Sequence, residues 1–193
     1  ISIVFLSTEE HQIIIRILLP IRISFVKEAS VYTVLFIFYD RNYSLGFLEQ
    51  TFSLPVYFVN DANAAMMAED LDRYKNALYL SLNNTLGGAF CIDGKLIQGE
   101  NQKAGEFGHM ILVPEGKQCY CGKLGCADAY CAASALIDEN TESVEHFMQQ
   151  VRNDEEEAKA KWEEYLDYLA ILISNLRMAY DMDIILGGEM GGY

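Results

Sequence analysis

An α/β fold is predicted by three observations. Short apolar runs of strand length recur at residues 56–59, 77–82, 88–92 and 184–186. Ahead of the last run lies a stretch in which Trp162, Tyr165, Leu166, Leu169, Leu172, Ile173, Leu176 and Tyr180 return at steps of three and four, the period of a long amphipathic helix. Polar or glycine-bearing turns, Asp93-Gly94 among them, separate the runs. With 193 residues, 51% of them hydrophobic, the chain can bury a core, and its length allows one or two domains.

From the N-terminus, residues 1–6, 13–15 and 31–39 read as short buried strands. Arg16, Pro20, Arg22, Lys27 and Glu28 interrupt them, so no run reaches the roughly 20 apolar residues that a membrane span needs. No charged segment and small-residue cleavage site frame a single apolar block, as a secretory signal would require. Residues 45–52 suit a short helix that ends before Pro55, because the residue ahead of a proline avoids the helical region. The strand at 56–59 leads to Asn60 and Asp61, either of which can cap the helix expected over residues 62–74.

Two strands follow, at 77–82 and 88–92, joined by Asn83-Asn84-Thr85-Leu86-Gly87, and the Asp93-Gly94 pair turns the chain into a further short segment at 95–98. Residues 99–105 form a polar loop. Past the cysteine-rich segment, a helix is expected from Asp128 onward, with Asp128 either capping it or serving a site. Another is expected over 141–153 with Thr141 as cap, and then the long helix, whose acidic start at Glu155, Glu156 and Glu157 and whose Arg177 near the end match the helix dipole. A buried strand at 184–186 ends in Gly187-Gly188.

The segment 105–126 holds one histidine, three cysteines and Glu106, with too little periodicity for an ordinary helix or strand. Cys119, Cys121 and Cys126 form C-x-C-G-x-x-G-C, in which Gly122 and Gly125 let the backbone fold back so that three sulfurs converge. His109 supplies a fourth ligand of the kind tetrahedral zinc takes. A disulfide is the competing reading. It is disfavoured because positions as close as Cys119 and Cys121 bridge poorly, and because the chain shows no sign of export to an oxidising compartment. A reducing, cytoplasmic setting fits the cysteine usage. The net charge of -14 over the 193 residues repels phosphate backbones and makes this chain a poor nucleic-acid surface.

These motifs carry a resemblance. Glu106-Phe107-Gly108-His109, the C-Y-C-G-K-L-G-C run from Cys119 to Cys126, Asn60-Asp61 ahead of an alanine-rich helix, and D-I-I-L-G-G ending at Gly188 together resemble the ROK family, named from repressors, open reading frames and kinases. The likeness runs from about Gly46 to the C-terminus and leaves residues 1–40 unmatched. It implies the two-lobed α/β fold shared by actin, hexokinase and ribonuclease H. The lobes would divide into 1–75, with an incomplete first lobe, and 76–193, which carries the zinc loop. Family members have further chain on both sides, so both ends of this sequence read as cut.

The resemblance also implies roles. Asp61 would take the proton from a sugar hydroxyl as it attacks the γ-phosphate of ATP, and Asn60, Glu106, His109 and Asp128 would hold the sugar. Asp128 stands where the family usually has Glu. Zinc on His109, Cys119, Cys121 and Cys126 would be structural, all four positions being closed. Thr85, Gly87, Gly88, Gly187 and Gly188 would approach the nucleotide. However, Asn83, Asn84 and Thr85 put side chains where the kinases have a Gly-Thr-Gly loop.

Three functions follow. The retained sugar residues beside an altered loop favour the effector domain of a carbohydrate-responsive transcriptional regulator, whose DNA contact would lie in a domain outside this chain. The second is an ATP-dependent kinase of a hexose or N-acetylhexosamine, which alone requires Mg-ATP. The third is an inactive fragment. In each active reading the ligand is a small sugar, the resemblance implies a homodimer, and no membrane is involved.

Overall fold

The computed structural model describes residues 2–7, 12–14, 35–38, 56–138 and 141–193. They fall into two compact units, Ile1–Ala64 and Ala65–Tyr193. In the first unit, strand β1 (Ser2–Ser7) pairs antiparallel with β2 (Gln12–Ile14), β3 (Leu35–Phe38) and β4 (Val56–Asn60). All four fall in apolar runs of the sequence. The helix expected over residues 45–52 lies outside the described residues.

Helix α1 (Asp61–Ala68) follows β4 directly. Its cap is Asn60, whose Oδ1 accepts from the backbone N–H of Ala62 and Asn63 at 3.0 and 3.2 Å. The helix stops six residues short of the expected end at 74. The cause is Asp70, whose carboxylate accepts from the backbone N–H groups of Asp72 and Arg73 and so offers the chain a turn in place of another helical repeat.

The second unit is built on a mixed sheet in the order β7-β6-β5-β8. Strand β5 (Ala77–Leu82) is buried along its whole length. Leu78 and Leu80 are fully buried, each contributing about 2 kcal/mol relative to exposure. It pairs antiparallel with β6 (Leu86–Ile92) and parallel with β8 (Asp183–Gly187). Strand β7 (Lys95–Leu96) follows a two-residue turn in which both Asp93 and Gly94 have positive φ, as the hairpin signal requires. Strand β6 begins earlier than the sequence suggests. Leu86 already pairs with Leu82, so Gly87 and Gly88 lie in the ladder opposite Ser81 and Leu80, and the turn is only Asn83-Asn84-Thr85.

A parallel pair needs a crossover, and three helices supply it. Helix α2 is short, Asp128–Cys131, because Ala132 is extended and lets the Ala133 N–H reach the Asn83 carbonyl at 2.8 Å. Helix α3 (Val144–Arg152) is capped by Ser143, not Thr141: the Ser143 hydroxyl accepts from His146 N–H at 3.1 Å, while Thr141 is drawn into a bridge with Asp138. Helix α4 (Glu156–Tyr180) is the long element expected. Tyr165, Leu169, Leu172 and Leu176 are buried, and Trp162, Ile173 and Tyr180 flank them. Leu166 departs from the predicted stripe, being turned outward at 41% exposure. Strand β8 is less buried than expected, with Ile184 and Ile185 half-buried and Leu186 exposed. Among the described residues no helix is long and apolar enough to cross a membrane.

Candidate functional site

The site is assembled on a 3-10 turn, Phe107–His109, held against β6 from behind. Phe107 is buried between Phe90 of β6 and Tyr180 at the end of α4, with ring centroids 6.2 and 5.7 Å away. Three glycines permit this approach: a Cβ on Gly88 would overlap the Gly105 carbonyl and the Phe107 ring, one on Gly105 would overlap the Gly88 carbonyl oxygen, and one on Gly108 would overlap the Leu86 carbonyl oxygen. Gly88, which the resemblance assigns to nucleotide, is thus packed under the chain's own loop. Gly108→Ala is expected to destabilise the fold by about 1–3 kcal/mol, since the obstacle is backbone that cannot rotate away. Gly192→Ala, with nothing within 4 Å, should leave the denaturant midpoint unchanged. Equal midpoints for the two variants would refute the packing argument.

The cysteine loop returns to this turn through two isolated bridges, Ile111 with Cys126 and Gln118 with Leu124. Its tip is closed by Cys119 N–H donating to Lys123 O at 2.9 Å and Gly122 N–H donating to Cys119 O at 3.0 Å. Gly125 has φ 80° and lies against the Val113 carbonyl, a place only glycine can take.

One ligand atom from each of His109, Cys119, Cys121 and Cys126 lies within 4.8 Å of the others. Cys121 Sγ and Cys126 Sγ are 3.6 Å apart, and Cys119 Sγ stands 3.8 Å from His109 Nδ1. Two thiolates on a tetrahedral zinc, each about 2.3 Å from the ion, are separated by about 3.8 Å, so the donor set fits that metal. All five cysteines are free, and 3.6 Å is far beyond the roughly 2.05 Å of a disulfide. Burial, then hydrogen bonding with Cys121 and Cys119, pushes the Cys126 thiol up to about 12, whereas the Lys123 backbone lowers that of Cys121. A zinc ion would take all three as thiolates, and with four protein ligands it would be structural.

The remaining expected residues divide between the units. Glu106, exposed, begins the 3-10 turn. Asp128 does not cap α2, whose cap residue is Ala127. Its Oδ1 instead accepts from the Leu86 backbone N–H at 2.7 Å, tying the helix to the start of β6. Burial raises the Asp128 pKa, opposed by that hydrogen bond and by His109. In the other unit Asn60 caps α1, and Asp61 Oδ1 accepts from Ala62 N–H at 3.0 Å.

Sequence reasoning missed two residues. Tyr120 sits between two ligands, with its hydroxyl 3.2 Å from His109 Nε2. Partial burial around the hydroxyl, followed by the charges of Asp128, Cys119, Glu106 and Cys121, pushes it up to about 12. Its place inside C-x-C was the available signal. Asn83 is the other: its side chain accepts from Glu189 N–H at 2.9 Å and donates to Ser81 Oγ at 2.9 Å, while its carbonyl takes the Ala133 N–H. It clasps the β5–β6 turn to the Gly187-Gly188 turn, where a Cβ on Gly188 would lie 2.9 Å from Asn83 Oδ1. Thr85 is half-buried beside it.

The mixed sheet, its covering helix and the histidine-cysteine loop define an α/β fold of the actin-like class. The chain belongs to the ROK family, whose model matches residues 29–192, starting ahead of Gly46 where the motifs become legible. An N-acetylmannosamine kinase from Vibrio cholerae is 34% identical over 155 residues, 75% of this chain and 53% of that protein. The crystal structure of a ROK family glucokinase from Streptomyces griseus, in complex with glucose and AMPPNP, superimposes with a TM-score of 0.67 at 25% identity, covering 76% of this chain and 56% of that one. A ROK family transcriptional regulator, homolog of the E. coli MLC protein, superimposes at 0.63 with 24% identity, covering 75% and 42%. The chain spans about half the length of the curated relative it matches.

Proposed function

We propose that this chain is the sugar-binding, zinc-bearing part of a ROK sugar kinase that phosphorylates a hexose or an N-acetylhexosamine. In this reading Glu106, His109 and Asp128 hold the sugar hydroxyls, Asn60 assists, Asp61 accepts the proton, and zinc on His109 and the three cysteines keeps the imidazole in place. Carboxylates suit vicinal hydroxyls because one group accepts two hydrogen bonds. The observation that carries the reading is that Glu106 and His109 share one 3-10 turn whose Gly108 packs on Leu86, the residue whose N–H donates to Asp128. The 34%-identical relative that matches three quarters of the chain is a kinase, which puts phosphoryl transfer ahead of the regulator expected from the sequence. Likeness to the regulator, at 24% identity, speaks to the fold alone.

The Asn83 clasp favours a second reading, a sugar-responsive regulatory domain, because its carboxamide is engaged with Ser81 and Glu189 in the turn where the kinases carry glycines. One pair of measurements separates the two. Calorimetry with glucose and N-acetylmannosamine should show binding that Glu106→Gln weakens about ten- to a hundredfold, the range for losing hydrogen bonds to a charged group. Sugar-dependent ADP release from Mg-ATP should accompany it. Binding without release would favour the regulator, and no binding of either sugar would count against both.

A further inference from the structure

We propose that Asn83 is an autoinhibitory latch: its carboxamide bridges the crevice outside the carboxyl ends of β5 and β8 and must let go before a nucleotide enters between the two turns. The inference rests on the kinase reading for the identity of the ligand, Mg-ATP. In open α/β sheets ligands lodge in the crevice beyond the carboxyl ends of the strands. Here β5 and β8 run parallel up to the pairing of Ser81 with Gly187, and beyond it lie Asn83 on one side and Gly188-Glu189 on the other.

One side chain crosses from turn to turn. Asn83 Oδ1 accepts from the Glu189 N–H at 2.9 Å, while Nδ2 donates to Ser81 Oγ at 2.9 Å. Gly187 and Gly188 bring no side chains to this edge, and the fit is close: a Cβ on Gly188 would lie 2.8 Å from the Leu82 nitrogen and 2.9 Å from Asn83 Oδ1. Gly188 and Glu189 are exposed and Asn83 is half-buried, so the latch is reached from solvent. The turn beneath it is held independently. The Asn83 carbonyl takes the Ala133 N–H at 2.8 Å and the Asn83 N–H donates to the Ser81 carbonyl at 3.1 Å, both backbone contacts that survive loss of the carboxamide. The side chain can therefore swing out while the turn stays formed. A ligand that binds only the open form has its apparent affinity reduced by the fraction of molecules that are open. Two hydrogen bonds hold that fraction at roughly one tenth to one hundredth.

Asn83→Ala removes the carboxamide and keeps both backbone contacts. Calorimetry with Mg-AMPPNP should show the variant binding about ten- to a hundredfold more tightly than the wild type. KM for Mg-ATP should fall in step, with kcat and sugar affinity unchanged. Asn83→Asp keeps an acceptor for the Glu189 N–H and adds a negative charge, so it should bind Mg-AMPPNP no more tightly than the wild type. Damage to the fold would weaken binding, so a gain cannot come from a disturbed turn. Equal or weaker binding by Asn83→Ala overturns the latch, as does a matching gain in Asn83→Asp or the absence of Mg-AMPPNP binding from all three proteins. Tighter binding by Asn83→Ala without sugar-dependent ADP release from any of the three would overturn the kinase reading and leave the latch in place. Release with equal nucleotide affinities would do the reverse.

Discussion

Cys126→Ser is expected to bring the metal content from about one zinc per chain to almost none and to lower stability by about 4 kcal/mol when free zinc exceeds its dissociation constant a thousandfold. Cys126 is the most consequential of the three thiols to lose. It is fully buried, its sulfur lies 3.6 Å from Cys121 Sγ, and its backbone bridges Ile111 where the loop returns to the Glu106–His109 segment. Serine offers a shorter, harder and mostly protonated oxygen, a poor match for zinc among soft ligands. The site links parts of the chain that have few apolar contacts of their own: Tyr120, Cys121 and Leu124 are all exposed. Without the ion the loop has little reason to stay closed. Denaturant titration of wild type and variant, each with and without a strong chelator, separates metal from packing. Chelator should bring the wild type down to the level of the variant and leave the variant unmoved. A variant that remains less stable by the full amount after chelation would place the loss in packing and remove the case for zinc.

The metal cluster was legible in the sequence because its ligands are local. Three sulfurs within eight residues can converge only if the chain turns back, and Gly122 and Gly125 stand where it does. The long helix was equally legible from its three- and four-residue steps, apart from Leu166, which turns outward. What failed depended on distant partners. Asn83 looked like a side chain intruding on a glycine loop, whereas it meets the Glu189 backbone, 106 positions away, across the parallel pairing of β5 and β8. Ala132 interrupts a helix that propensity would continue, because Ala133 answers the carbonyl of that same asparagine. Gly87 reads as a loop residue until the register with Ser81 draws it into the strand beside Gly88, whose lack of a side chain serves the 3-10 turn packed above. Ser143 and Thr141 are both good caps by composition. The bridge between Thr141 and Asp138 decides between them, and composition does not reveal it.

Asp61→Asn should reduce sugar-dependent ADP release by a hundred- to ten-thousandfold, the range that a positioned general base contributes, while sugar affinity changes by about twofold or less. The substitution isolates chemistry from folding because the structural duty at this helix start belongs to its neighbour. Asn60 accepts from both Ala62 and Asn63, so the cap survives. Asparagine at position 61 keeps a carbonyl oxygen able to accept the Ala62 N–H as Asp61 Oδ1 does. The loss of a negative charge at the start of α1 costs only about 0.3–1 kcal/mol, so the variant remains folded. What it cannot do is accept a proton from the attacking hydroxyl. Phosphoryl transfer otherwise asks for positioning and charge neutralisation, neither of which this change touches. A parallel fall in sugar affinity and ADP release would make Asp61 a binding group, and the base would have to be sought elsewhere. If ADP release were undiminished, the proton would need no protein acceptor, and the resemblance of Asn60-Asp61 to a catalytic pair would be one of sequence only.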